Sequence, residues 1–272
     1  MVFLIYGNFS ALLRRDFLED LDQATVKIYL PAKDAATTDE TISETKYPLE
    51  VLDEKAIGAK KKYLIGEGKT DALGNYTVNL SNEYQKGPVE INIEVFKVPN
   101  QKSKVDKTVQ FVVTTLQPVW RGDEKESTYN WNYCLPGRFW CGIRGQFDAW
   151  TVFGSVKYAD DRKKPFVGVK VSAYDEDWIK DDKLGSAITD EYGRFRIDFQ
   201  SSDFKKTFLS PLVNVETPLT PIPGPGVYFK ISSYNGKVIY DEDPSYGKLP
   251  ERRNIPNCFH VDLFVDDKKG LA

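Results

Sequence analysis

The sequence predicts an all-β chain made of two antiparallel β-sandwich domains in tandem. Three observations carry that prediction. Apolar residues recur at every second position in nearly every segment that has a period, as in Val169, Val171 and Ala173 against Lys170, Ser172 and Tyr174. Two turns of one form, Asp71-Ala-Leu-Gly74 and Asp190-Glu-Tyr-Gly193, place Gly where a hairpin needs positive φ and Asp where it bonds its own backbone. At 272 residues the chain is long enough for two hydrophobic cores.

The elements follow in order. Phe3, Ile5 and Phe9 open the first half; the segment 10–24, SALLRRDFLEDLDQA, continues the strand or forms a short helix or turn with Asp16, Glu19 and Asp20 outward. Val26, Ile28 and Leu30 lead into a Thr-, Glu- and Lys-rich stretch at 32–62, read as an exposed excursion. Tyr76, Val78 and Leu80, then Val89 to Val95, then Val109, Phe111 and Val113 complete the first set. In the second half the strands are Trp150 to Val156, Val169 to Ala173, Phe195 to Phe199, Val227 to Ile231 and Phe259 to Val265. One dry and one wetter face is the pattern of antiparallel sheets. Aligning Val26 with Val169 and Asp71 with Asp190 leaves 24 extra residues in the first copy. PLTPIPGP at 218–225 is a connector that no central strand accommodates. The predicted organisation is a first sandwich at 1–119, an aromatic-rich interdomain segment at 120–149 and a second sandwich at 150–272.

VKVSAYDED at 169–177, Asp181 and Asp182, Leu184-Gly185, Thr189-Asp190, Gly193 and Phe195 resemble the core motif of the transthyretin-like proteins. VYFKIS at 227–232 and RRNIPNCFHVDLFV at 252–265 resemble later strands of that family, so the resemblance spans 150–265. It implies a prealbumin-like β-sandwich, also used by carboxypeptidase regulatory domains, that is usually non-enzymatic. The enzymes of similar fold, the hydroxyisourate hydrolases and intradiol dioxygenases, need more than one histidine, and this chain has only His260.

Composition narrows the function classes. Charged residues are 28% and nearly cancel to a net of −3, which argues against nucleic acid or anionic lipid held by bulk electrostatics. No apolar run approaches the roughly 20 residues of a membrane span. The N-terminus has no basic region and no cleavage pattern, so no signal peptide is read there, and the expectation is a cytoplasmic chain or one exported by a non-standard route. Cys134 and Cys141 flank LPGRFW and close a small loop in an oxidising place, leaving Cys258 over; in a reducing one all three are thiols. His260 alternates with Phe259 and Val261 and is expected to face solvent, where a lone His supports neither a triad nor a metal. With no phosphate loop or nucleophile elbow either, the chain is predicted not to be an enzyme.

Two clusters remain. Asp175, Asp177, Asp181, Asp182 and Asp190 have the ligand chemistry of a Ca²⁺ site, without the EF-hand spacing; the alternative is a solvated acidic loop that discourages edge pairing. No other cofactor is suggested. Between Trp120 and Trp150 fall four of the five Trp. Trp131, Tyr133, Arg138, Phe139 and Trp140 read as a partner-binding surface, a stacking platform for glycans, or a wedge between the sandwiches. The predicted function is a non-catalytic interaction or structural scaffold component with a protein partner or a second copy of itself; the alternative is a Ca²⁺- or aromatic-dependent glycan-binding module.

Overall fold

A computed structural model of the chain describes residues 1–14, 17–31, 49–176, 182–204 and 223–266. Met1–Pro99 with Val105–Ile143 form one compact unit, and Asn100–Lys104 with Arg144–Ala272 form a second.

The first unit holds strands β1 (Val2–Arg14), β2 (Phe17–Asp20), β3 (Thr25–Tyr29) and β4 (Glu50–Val51), helix α1 (Glu54–Lys60), then β5 (Leu64–Lys69), β6 (Asn75–Asn79), β7 (Val89–Val95), β8 (Val109–Leu116), β9 (Arg121–Gly122), β10 (Glu126–Asn130) and β11 (Tyr133–Leu135). β1 pairs antiparallel with β6 and β2 and parallel with β10 and β11. The facing sheet runs β4-β8-β7-β3-β5. Between them lie Ile5, Phe9, Val26, Ile28, Val78, Ile91, Ile93 and Phe111, all fully buried. The segment 10–24 holds no helix among its described residues. Phe9, Ala11 and Leu13 keep the period of two to the end of β1, so burial of that row decides for a strand. The described part of the stretch at 32–62 is not a bare excursion, since it supplies β4 and α1.

After helix α2 (Gly137–Gln146), the second unit holds β12 (Trp150–Tyr158), β13 (Lys170–Asp175), β14 (Asp182–Ile188), β15 (Arg194–Phe199), β16 (Val227–Ser232), β17 (Val238–Asp241) and β18 (Cys258–Val265). Its sheets are β15-β12-β18 and β14-β13-β16-β17, around a core that includes Val152, Val171, Ala173, Phe229, Ile231 and Val265. The pairing repeats that of the first unit: β15-β12-β18 stands for β6-β1-β10, and β14-β13-β16-β17 for β5-β3-β7-β8. The fold is all-β.

The sequence predicts antiparallel sheets, but not every pairing is antiparallel. β12–β18 is parallel, like β1–β10 and β1–β11. A period of two fixes which face a residue takes and says nothing of strand direction. β12 is also buried on both faces, Thr151 and Phe153 included, so its alternation does not separate a dry face from a wet one.

The two Asp-Gly turns have the same geometry. Gly74 (φ 76°) and Gly193 (φ 71°) adopt the left-handed backbone. Asp71 Oδ1 accepts from the Leu73 and Asn75 amides, and Asp190 Oδ1 from those of Tyr192 and Arg194. The residue equivalent to Val169 is Ala24 and not Val26: the Ala24 amide donates to Thr70 as the Val169 amide donates to Thr189. From Ala24 to Asp71 is 47 residues and from Val169 to Asp190 is 21, so the first unit has 26 more residues over this span.

The aromatic segment at 120–149 is not a separate interdomain piece. Trp120 to Ile143 fall in the first unit, where β10 and β11 lie alongside β1, and Arg144 onward fall in the second. The cysteine expectation is also corrected: Cys141 and Cys258 are disulfide-bonded and Cys134 is an exposed free thiol. Spacing in sequence suggested 134 with 141, but Cys134 lies on β11 with its side chain turned to solvent.

Candidate functional site

The aromatic candidates are divided by the fold. Trp131 is buried between Phe9, with ring centroids 5.4 Å apart, and Tyr133, which stacks on it at 5.3 Å. Its carbonyl accepts from the Tyr76 hydroxyl at 2.8 Å. Trp140 is fully buried and its indole N–H donates to Glu19, a carboxylate expected outward but only 4% exposed. Phe139 is half-buried against Phe111 at 5.0 Å, and Arg138 is exposed. Trp131 and Trp140 are therefore core residues and cannot anchor a partner at the surface. Tyr133, Arg138 and Phe139 keep some exposure.

The three described acidic candidates, Asp175, Asp182 and Asp190, do not converge either. Asp175 and Asp182 face each other across β13 and β14, with Asp175 buried and accepting from the Gly226 amide at 2.9 Å. Asp190 lies beyond the other end of β14, about 20 Å along the strand. Burial raises its pKa, but the amides of Arg194 and Tyr192 and the Arg194 guanidinium outweigh that and hold its carboxyl below the usual range. Asp177 and Asp181 lie outside the described residues. Among the described residues no group of three or more His, Cys, Asp or Glu is placed to hold a metal. His260 is not on open surface as expected: its ring meets Phe153 edge-on at 5.4 Å and its side chain is 18% exposed.

One feature that the described residues leave open is an edge. In the first unit β8 is covered on its outer side by β4, through Glu50 opposite Val112 and Val51 opposite Phe111. In the second unit the equivalent strand, β17, pairs only with β16 among the described residues. Glu242 fixes its end. This carboxylate is 4% exposed, accepts from the Phe229 amide at 2.8 Å, the Tyr240 hydroxyl at 2.8 Å and Arg252 at 3.2 Å. Arg252 also lies over the Phe229 ring, 4.9 Å from its centroid. Burial, with the nearby Glu242 charge, raises the Tyr240 pKa, so the phenol stays neutral and donating. At the other end of β17 Val238 is 53% exposed, and Tyr234, at the tip of the β16–β17 hairpin, is 94% exposed. A row of unpaired strand groups next to exposed apolar side chains is able to template another strand. The strands read from alternation in the sequence do not include β17, and alternation gives no sign of which strands end up on an edge.

No protein-family model matches the chain, and no curated protein matches it. Solved structures with weak likeness include the shaft pilin SpaA of Lactobacillus rhamnosus GG, 7% identical over 96% of this chain and 96% of the pilin, with a TM-score of 0.29. The Bacillus anthracis TIE protein is 10% identical over 98% of this chain and 34% of its own length, TM-score 0.26. A 9R-lipoxygenase from Cyanothece PCC8801 is 11% identical over 50% of this chain and 16% of its own, TM-score 0.25. The chain thus spans a minor part of the last two proteins. TM-scores this low assign neither a family nor an activity.

Proposed function

We propose that this chain is a non-catalytic interaction or structural component, a tandem repeat of prealbumin-like sandwiches that joins a protein partner or a second copy of itself through the open edge at β17. The observation that carries this reading is the contrast between equivalent strands: β8 is already extended by β4, while β17 has a single neighbour among the described residues. The chain thus contains its own example of such an addition. The carboxylates with lowered pKa, Asp71, Asp123, Asp190 and Asp243, all accept from backbone amides of their own turns, a structural use of charge.

Cross-linking of the native protein followed by mass spectrometry tests the reading. Lys237, exposed beside Val238, is expected to link to a neighbouring chain, and Val238→Lys, which places a charge on the edge, is expected to abolish that link without lowering the melting temperature. Links that persist unchanged in the variant, or none from Lys237 at all, would sink it.

A further inference from the structure

Helix α1 stands off the sheet beneath it. None of its residues is buried, and its tie to the sheet is the ion pair between Lys60 and Glu90 of β7. The gap is a cleft of about 300 Å³ lined by Tyr29, Leu30, Ala56, Ala59, Lys60, Tyr63 and Glu90. That is near the low end of the roughly 300–1,000 Å³ range of small-molecule sites. Ala56 and Ala59, three apart on one helix face, leave the room, and two phenol rings and Leu30 make the lining largely apolar.

The cleft's wall belongs to a polar network that is not finished. Glu90 accepts from Asn92 Nδ2 at 2.6 Å, and Gln110 Nε2 donates to Asn92 Oδ1 at 3.3 Å and to the Tyr29 hydroxyl at 3.1 Å. Asn92 and Gln110 are fully buried and Tyr29 is 3% exposed. Among the described residues Gln110 Oε1 has no hydrogen-bond partner, and the Tyr29 hydroxyl, which accepts from Gln110, donates to none. Burial raises the Tyr29 pKa, which keeps that proton in place. Lys60 and Glu90 neutralise each other, so the cleft presents no net charge to an occupant.

We propose that this cleft binds an uncharged, mainly apolar small molecule of single-ring size whose hydrogen-bond acceptor meets the Tyr29 hydroxyl. A charged occupant would have to lose its hydration without gaining a free counter-ion. A longer occupant would not fit the volume.

Ligand-observed ¹⁹F NMR on the full chain tests this with 4-fluoroacetophenone, a neutral ring bearing an acceptor, against 4-fluorobenzoate. The ketone is expected to bind with a Kd of about 1 mM or tighter, given its few heavy atoms. The benzoate is expected to bind at least tenfold more weakly, by the desolvation argument above. Ala59→Phe, at an exposed helical position, fills the cleft and is expected to weaken the ketone about tenfold or more with the melting temperature unchanged. Tyr29→Phe keeps the ring and is expected to cost roughly three- to tenfold, the loss of one hydrogen bond. No binding of the ketone, equal binding of the benzoate, or full binding in a folded Ala59→Phe protein would each overturn the proposal. None of these outcomes bears on the β17 edge, which lies in the other unit.

Discussion

Thr70 and Thr189 do the same work in the two units. Thr189 Oγ1 accepts from the Val169 amide at 3.1 Å and donates to the Phe166 carbonyl at 2.8 Å; Thr70 Oγ1 accepts from the Ala24 amide at 2.9 Å and donates to the Leu21 carbonyl. Each backbone amide returns the contact, Thr70 to Ala24 and Thr189 to Val169, both at 2.9 Å. One hydroxyl thus closes the start of a strand and the approach to the Asp-Gly turn at once.

Because both threonines are buried, at 5% and 3% exposure, Thr→Val at either position leaves an amide and a carbonyl without the partner that replaced water. We expect Thr70→Val and Thr189→Val each to cost about 1–3 kcal/mol, and Thr→Ser to cost less because the hydroxyl survives. Urea unfolding with an unchanged m-value would show it. A midpoint equal to that of the parent protein would mean the hydroxyls are not needed.

A second matched pair lies in the central strands. A Cβ on Gly7 would sit 1.9 Å from the Trp131 carbonyl oxygen, and one on Gly154 would sit 1.6 Å from that of Val261, where the parallel neighbour passes. Backbone atoms in a paired strand have little room to shift. Gly7→Ala and Gly154→Ala are therefore expected to yield little folded protein. Gly58→Ala, in α1 with nothing within 4 Å, is expected to gain about 0.5–1 kcal/mol from helix propensity alone. Circular dichroism and soluble yield distinguish the three.

Much of this fold can be read in the sequence, and the reason is local. The alternation in β13, β15, β16 and β18 reflects one buried row per strand, and each Asp-Gly turn is a four-residue unit whose bonds lie within it. What depends on distant neighbours stays hidden. The parallel register of β12 with β18 joins residues about a hundred apart, and Glu19 looks like a surface charge until Trp140, 121 residues away, supplies its donor. The same limit explains the aromatic segment. Four tryptophans close together read as a partner surface, a glycan platform or a wedge between the sandwiches, and the fold instead spends Trp131 and Trp140 on the core of the first unit. The cleft under α1 had no signature at all, because it arises from a helix standing off a sheet.

Cysteine chemistry gives a direct count. With Cys141 and Cys258 disulfide-bonded and Cys134 exposed and free, the native protein purified without reductant is expected to titrate one thiol with Ellman's reagent. After unfolding and reduction it should titrate three, the number in the chain. A reading of three before reduction would show that the bond does not form where the protein matures.

The turns also set a pH dependence. At Asp190 burial works against ionisation, but the Arg194 and Tyr192 amides and the Arg194 guanidinium hold the carboxyl below its usual value; at Asp71 the Asn75 amide and side chain, with the Leu73 amide, do the same. A folded pKa below the unfolded one, about 3.9 for aspartate, means stability that is fully present above that value. It is lost as pH falls through the folded pKa, when the protonated acid no longer serves as a full acceptor. Asp190→Asn removes the titration while keeping one acceptor oxygen. The parent protein should therefore exceed the variant in stability at pH 7 and lose that advantage as the pH falls below the usual aspartate value, about 3.9. Urea midpoints of both proteins from pH 7 downward through the acid range decide it: a gap that stays constant down to the lowest pH would show that the Asp190 charge contributes nothing to the turn.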